Sequence, residues 1–199
     1  MENTHSQTTL SSSEYKTYFS NGISFETYHQ NMIEEVESKR ESEYAQYIPM
    51  NLQRSKRILK TFQLQNSLKE TLRNINHKIN WLVISEHWCG DASQIMPVIH
   101  SIAKVSEGKI NLKIVYRDSN ELINHHLTNG GKSIPKIVQL DEDFNFLKEW
   151  GPRPILAQQL IDELKASGTE LQEVIEKIHK WYADDKTVLT QKEIEELLK

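Results

Sequence analysis

The chain is almost free of cysteine, with Cys89 alone among 199 residues. A single cysteine excludes an intrachain disulfide, a two-cysteine redox motif and an all-cysteine zinc site. Low cysteine content is typical of the reducing cytoplasm. The stretch from Met1 to Ser13 is polar and lacks the apolar core of a secretory signal. We therefore expect a cytoplasmic protein.

Glycine, proline, long apolar runs and excess charge are also scarce. Seven glycines and five prolines exclude collagen-like and low-complexity linker classes. The longest wholly apolar run, Trp81 to Ile84, is far shorter than the ~18 residues of a membrane-spanning helix. The net charge of −4 does not favour binding to a general polyanion. Neither a membrane nor a nucleic acid is an expected partner.

The first third of the chain reads as a lead-in followed by helices. Residues 1–20 are polar and lack a periodic apolar pattern, which predicts a flexible N-terminal lead-in with order beginning at Ile23. Ser24 is a candidate N-cap. Three amphipathic helices are predicted between Tyr28 and Ile75, and their apolar stripes need a partner surface. We therefore interpret residues 21–78 as an N-terminal helical extension packed on a core.

Residues 79–167 alternate between strands and helices, which predicts an α/β core with a mixed sheet. In order, the predicted elements are strand Trp81 to Ser85, helix Asp91 to Val105, strand Ile110 to Tyr116, short helix Ser119 to Thr128, strands Lys136–Leu140 and Asn145–Trp150, and a helix closed near Gly168. Residues 168–199 form a C-terminal helical extension, whose last helix is predicted to start with a capping box of Thr190 and Glu193.

Cys89 lies where the first strand of the core meets its helix. A thiol at a helix N-terminus faces unpaired backbone N–H groups and the positive end of the helix dipole, and both favour the thiolate. The alternative is an ordinary small buried cysteine. The exit of a buried parallel strand is where open sheets place their sites, which favours a functional thiol.

Two segments carry a family resemblance. Trp88–Cys89–Gly90–Asp91–Ala92 resembles the thioredoxin motif Trp-Cys-Gly-x-Cys, with alanine at the second cysteine. Ser133–Ile134–Pro135 resembles the cis-proline loop that faces this motif. With the segment from Trp181 to Asp185, the chain is similar to a bacterial thioredoxin-like branch with a Trp-Cys-Gly-Asp motif. The resemblance implies a thioredoxin-like sheet of about four strands sandwiched by helices, with both helical extensions added.

The resemblance also implies roles for individual residues. Cys89 would be the attacking sulfur, and the substrate would bind at Trp88, Gly90, Asp91, Ala92, Ser133, Ile134 and Pro135. The Ile134–Pro135 bond would be cis. Ala92 and Val83 replace the family's second cysteine and buried carboxylate, and both losses affect resolution of a mixed disulfide. A carboxylate at Asp91 should disfavour the thiolate.

Other candidates are weaker. His87 and Cys89 alone do not make a structural zinc site, so no metal or cofactor is expected. His125 and His126 are predicted to end a short helix. The cluster Arg54, Lys56, Arg57 and Lys60 is interpreted as a solvated face. The run Asp141, Glu142 and Asp143 is interpreted as a turn, because no EF-hand loop surrounds it.

Three hypotheses of function remain open. The first is a monothiol oxidoreductase, in which Cys89 attacks a protein disulfide and a low-molecular-weight thiol or another protein resolves the product. The second is a redox-inactive module that binds a peptide or protein in the groove between Trp88 and Pro135. The third is a redox sensor in which Cys89 is reversibly oxidised or capped.

Overall fold

The computed structural model describes residues 10–38 and 44–199. Within these residues, eight α-helices surround one four-stranded sheet. The helices and strands are α1 Ser12–Asn21, α2 Phe25–Glu37, α3 Ile48–Thr61, α4 Asn66–Asn74, β1 Ile79–Ser85, α5 Gly90–Val105, β2 Ile110–Tyr116, β3 Lys136–Leu140, β4 Phe146–Trp150, α6 Ile155–Ala166, α7 Leu171–Asp185 and α8 Val188–Leu197.

The sheet has the strand order β2-β1-β3-β4. Strand β1 runs parallel to β2 and antiparallel to β3, and β4 runs antiparallel to β3. All residues of the central strand β1 are buried, as expected for a strand with neighbours on both sides and helices on both faces. The predicted α/β fold with a mixed sheet is confirmed.

The register of β1 and β3 sets the position of the site. Ile84, next to the end of β1, is paired with Lys136, the first residue of β3. The turn that follows β1 and the loop that precedes β3 therefore meet at the same end of these two neighbouring strands. These two segments contain Cys89 and Pro135.

The N-terminal helices pack on the core. Between α1 and α2, the backbone N–H and carbonyl of Ile23 both bond to Ile114 of the edge strand β2, each at 2.9 Å. Helix α3 packs along α5, and α4 packs against α8. The division into four segments stays a prediction. Within residues 10–38 and 44–199, no helix is long and apolar enough to cross a membrane.

Order begins earlier than Ile23, so that prediction is wrong. Helix α1 starts at Ser12, where Ser11 and Glu14 form a capping box. Tyr15 is 1% exposed, and its hydroxyl lies 3.2 Å from His126 Nε2. This burial anchors α1 to the core. Residues 1–9 of the predicted lead-in lie outside the described residues.

Two local predictions are also wrong. The helix predicted over Ser119 to Thr128 is replaced by short 3₁₀ segments at Arg117–Ser119 and Leu122–His125. Asn120 breaks the pattern, because its side chain bonds the backbone of two neighbouring residues. Helix α8 begins at Val188, so Thr190 and Glu193 lie inside it and form no capping box. Glu193 instead accepts hydrogen bonds from Trp150 and Ile155.

Candidate active site

Cys89 is the N-cap of α5 and has extended backbone angles of φ −73° and ψ 121°. The Ala92 N–H donates to Sγ over 3.4 Å. This contact places the sulfur at the positive end of the helix dipole. The residue is nevertheless 8% exposed, so the thiol is held inside the protein.

The loop before β3 faces the thiol. The Ile134–Pro135 peptide bond is cis, and the Cys89 Sγ–H donates to the Ile134 carbonyl oxygen over 3.3 Å. The structure thus brings together two segments that are 45 residues apart in sequence. Ser133, on the same loop, is half-buried.

Burial raises the pKa of the Cys89 thiol to about 12, and the Asp91 carboxylate acts in the same direction. Backbone N–H groups of the first turn of α5 oppose this shift, as does the guanidinium of Arg153. The sequence-based expectation of a thiol poised to ionise is therefore wrong for this conformation, because desolvation outweighs the helix N-terminus.

Asp91 is held by two residues from the C-terminal part of the chain. Arg153 donates to Oδ2 from two nitrogens, at 2.6 and 3.0 Å. The hydroxyl of Tyr182, on α7, donates to Oδ1 over 2.7 Å. Both carboxylate oxygens of Asp91 thus accept hydrogen bonds within the fold, and α7 is tied to the residue two positions after Cys89.

Helix α7 also contacts Gly90. A Cβ atom built on Gly90 would lie 3.0 Å from Nε2 of His179. Gln94 of α5 lies 3.2 Å from the other ring nitrogen of His179. Burial lowers the pKa of His179 to about 4, with a further contribution from Arg54. A neutral imidazole therefore packs directly on the glycine of the motif, which leaves no room for a side chain there.

Comparison with known proteins agrees with this arrangement. A family model described as thioredoxin matches residues 37–165, which is more than half of the chain. The chain belongs to the thioredoxin family. A search of curated proteins found no match.

Two solved structures are similar to this thioredoxin-family chain. A crystal structure of a protein of unknown function from Pseudomonas aeruginosa is 20% identical, covers 85% of this chain and 95% of its own, and has a TM-score of 0.54. An HIV epitope-scaffold is 22% identical, covers 82% of this chain and 94% of its own, and has a TM-score of 0.52. At these identities the likeness concerns the fold.

The chain has alanine and valine at the two positions where the resemblance implies the groups that resolve a mixed disulfide. Ala92 is buried in the first turn of α5 and has no sulfur. Val83 is fully buried in β1, paired with Ile114 and Ile137. An apolar strand environment thus occupies the place where the resemblance implies a carboxylate.

Trp88 is held by the N-terminal extension. The Tyr44 ring lies 4.8 Å from it, and the Arg117 guanidinium lies 4.5 Å from its ring centroid. It packs both against the cluster of Met32, Ile48 and Leu52 and against the main hydrophobic core. The tryptophan remains half-buried, so part of its surface is open beside the thiol.

His87 is a structural residue in this fold. Its Nδ1 lies 2.7 Å from Glu35, and its Nε2 lies 3.0 Å from the Tyr28 carbonyl oxygen and 3.2 Å from the Tyr116 hydroxyl. Both ring nitrogens are thus engaged by the protein. Over residues 10–38 and 44–199, no group of three or more His, Cys, Asp or Glu residues could hold a metal ion.

His125 is the last residue of the short 3₁₀ helix Leu122–His125 and His126 is its C-cap, so the two histidines end a short helix as predicted. His126 is buried, with Nδ1 2.7 Å from Glu149, so it ties β4 to the core. Asp141 accepts three hydrogen bonds from Asp143 and Asn145, which fits the predicted turn.

Sequence reasoning missed Arg153, His179 and Tyr182. Arg153 and Tyr182 lie 62 and 91 residues from Asp91 in the sequence, and no local pattern predicts such contacts. The only signal was the resemblance of the segment from Trp181 to Asp185 to the thioredoxin-like branch.

Proposed function

We propose that the protein takes part in thiol–disulfide exchange, with Cys89 as its single attacking sulfur. The observation that carries this proposal is the position of Sγ between the N-terminus of α5 and the Ile134 carbonyl oxygen, 3.3 Å away. An extended peptide that paired with the Ile134 backbone would bring its disulfide to this sulfur. Trp88, Gly90, Asp91, Ala92, Ser133, Ile134 and Pro135 would form the binding surface.

The bonds broken and formed in this exchange balance without a second cysteine in the chain. The Cys89 thiolate attacks one sulfur of a disulfide, so the original S–S bond breaks, a mixed disulfide forms, and the leaving thiolate takes a proton from solvent. A second, external thiolate then attacks the mixed disulfide and releases Cys89. One disulfide is consumed and one is formed. Because Ala92 cannot act, the second step needs a low-molecular-weight thiol or another protein, and the reducing cytoplasm would supply it.

The reaction requires the thiol to be uncovered first. Cys89 is 8% exposed, and α7 lies over the adjacent Gly90 and Asp91. Movement of α7 away from these residues would hydrate the sulfur and lower its pKa, because desolvation is the main cause of the raised value. The conformation with α7 against Gly90 and Asp91 is then a resting form of the protein.

A second candidate is a redox-inactive peptide- or protein-binding module. The thiol pKa of about 12 favours it, since a thiol that stays protonated near neutral pH is a poor nucleophile. The same groove would then hold a partner without covalent chemistry.

Reaction with glutathione disulfide separates the two candidates. The folded protein is incubated with it near pH 8, and mass spectrometry follows a mixed disulfide on Cys89. We expect the adduct to form, to disappear on addition of reduced glutathione, and to be absent in Cys89→Ser. If Cys89 reacted only after the protein was unfolded in urea, the binding module would replace the exchange proposal.

A further inference from the structure

A cleft of about 260 Å³ lies between α3 and the end of α7. Apolar side chains, among them Phe62 and Tyr182, form part of its wall. Arg57 from α3 and Lys186 after α7 bring two positive charges to the same space. The cleft therefore combines apolar walls with cationic groups from two separate segments of the chain.

The α3 side of the cleft carries uncompensated positive charge. Arg54 lies one turn before Arg57 on the same face of the helix, and it is half-buried. Arg54 donates to the Asn51 amide oxygen at 2.9 Å, and Arg57 donates to the Gln94 amide oxygen at 3.3 Å. Both acceptors are neutral. Lys56 and Lys60, the other members of the basic cluster, are exposed.

No acid of the described residues neutralises this charge. Within residues 10–38 and 44–199, neither arginine nor Lys186 forms an ion pair. Burial lowers the pKa of Arg54, and the charge of Arg57 lowers it further. Arg57 and Lys186 are themselves exposed, so an anion that entered the cleft would meet two positive charges with which no acid of the described residues is paired.

The acids closest in sequence to Lys186 are committed to other contacts. Asp184 pairs with Lys180 at 2.7 Å. Asp185 accepts from the Leu189 N–H at the start of α8, at 3.1 Å. Neither carboxylate is therefore free to occupy the cleft between α3 and α7.

We propose that this cleft binds a small organic oxyanion, a phosphate or carboxylate group attached to a short apolar body. Arg57 and Lys186 hold the oxyanion, and Phe62 and Tyr182 contact the apolar body. A planar guanidinium suits both phosphate and carboxylate. The volume is below the roughly 300–1,000 Å³ of drug-sized pockets, which restricts the ligand to small molecules. This site does not depend on any chemistry at Cys89.

The test is calorimetric titration of the full chain at low salt with phenyl phosphate, benzoate and inorganic phosphate. We expect saturable binding of phenyl phosphate or benzoate, and the stronger of the two identifies the oxyanion. The double variant Arg57→Gln with Lys186→Gln should weaken that binding by about tenfold or more. The matched control is Lys60→Gln with Lys192→Gln, which removes the same charge from exposed positions. Its affinity for the probe should stay within about twofold of that of the unmodified protein.

Three outcomes would overturn the site. The first is that neither organic probe binds saturably below about 10 mM. The second is that both double variants lose binding to the same extent. The third is that inorganic phosphate binds as tightly as phenyl phosphate. Circular dichroism melting checks that each variant is folded. If the glutamine pair did not fold, the charge-retaining single variant Arg57→Lys would take its place. Because the fork geometry of Arg57 is lost while the charge remains, we expect this variant to weaken binding as well, and unchanged affinity would count against the site.

Discussion

Tyr182 donates a hydrogen bond to Asp91 across 91 residues of sequence, with the two oxygens 2.7 Å apart. Asp91 follows Cys89 by two positions, so the C-terminal extension is fastened to the motif that contains the thiol. Arg153 holds the second oxygen of the same carboxylate at 2.6 Å. Helix α7 is therefore part of the structure around the candidate active site, through its contacts with Asp91 and Gly90.

Removing this hydrogen bond should expose Cys89. Tyr182→Phe keeps the ring and deletes a bond to a charged group, which contributes about 1.5–3 kcal/mol. If α7 opens locally, each 1.4 kcal/mol lost raises the open population by about tenfold. We expect iodoacetamide to label Cys89 at least about tenfold faster in this variant. Mass spectrometry under native conditions measures the rate.

Tyr47→Phe is the matched control, because Tyr47 is 43% exposed and lies before α3. Its labelling rate should equal that of the unmodified protein. Equal rates in all three proteins would mean that α7 does not limit access to the thiol.

Gly90→Ala should push α7 away from the motif. The new Cβ would lie 3.0 Å from Nε2 and 3.1 Å from Cε1 of His179. Overpacking of this kind costs about 1–3 kcal/mol. In a His179→Ala background the same change should cost about 1 kcal/mol less, since residues in contact show such coupling. Urea unfolding of the four proteins gives the coupling energy.

Gly131→Ala provides the control for this cycle. Its Cβ would meet its nearest atom, the Thr128 carbonyl oxygen, at an ordinary 3.4 Å. Its effect should be the same with and without His179. A coupling energy of zero between Gly90 and His179 would show that the His179 ring moves aside without a cost in stability, and it would contradict the prediction.

The buried thiol should make stability fall at alkaline pH. An unfolded cysteine ionises near ~8.5, whereas burial raises the pKa of Cys89 to about 12 in the folded protein. Between these values the folded state binds more protons, so the free energy of unfolding decreases as pH rises. The loss reaches up to about 1.4 kcal/mol per pH unit.

Cys89→Ala isolates this contribution from that of the buried tyrosines, whose phenols ionise near ~10 once the protein is unfolded. Urea unfolding from pH 7 to 10 should show a steeper decline in the unmodified protein than in the variant. Parallel curves would mean that folding leaves the thiol pKa unchanged.

The N-terminal helices should be required for a stable core. A chain starting at Asn76 lacks α3, whose Ile58 is buried, and α4, whose Leu68 and Leu72 are buried. It also loses the Ile23 pairing that covers the edge of β2. We expect this fragment to bind the apolar dye ANS and to aggregate, whereas a chain lacking only residues 1–9 should not. A soluble fragment with normal unfolding would make residues 79–199 an independent unit.

The core strands were predictable because their signals are local. Period-two alternation in Ile110–Tyr116 predicts β2, and the acidic turn after Lys136–Leu140 predicts β3 as one strand of a hairpin, both with the bounds that the structure has. The position of Cys89 before α5 follows from the same kind of pattern. Helix α1 was missed although its signals are local: Ser11 and Glu14 form a capping box, and Tyr15, Tyr18 and Phe19 recur at helical spacing and pack on the core.

The electrostatics of the thiol could not be predicted from local pattern. The helix N-terminus at Cys89 is a local feature and predicts a low pKa. The burial that reverses it comes from tertiary packing around the motif, in which α7 covers Gly90 and Asp91. No residue near Cys89 in sequence specifies that cover, so the sign of the shift depends on the tertiary fold.

The last prediction concerns Ala92, where the resemblance implies a second cysteine. The Ala92 backbone nitrogen lies 3.4 Å from Cys89 Sγ, and positions 89 and 92 are neighbours at the start of α5. In Ala92→Cys, oxidation should therefore close an internal disulfide, which gel mobility and mass spectrometry detect. Reduction of a model protein disulfide by a dithiol reductant should then exceed the parent level.

The gain in disulfide reduction by Ala92→Cys should be only partial, for two physical reasons. Val83 still supplies no carboxylate for proton transfer, and α7 still packs on Gly90 and Asp91 beside the thiol. Adding Tyr182→Phe to Ala92→Cys should raise turnover further if the cover limits access, whereas Cys89→Ser should abolish it in every background because a serine hydroxyl is a far poorer nucleophile. A folded Ala92→Cys protein with neither disulfide nor turnover would refute the idea that the missing cysteine limits this chain, and would favour the binding module.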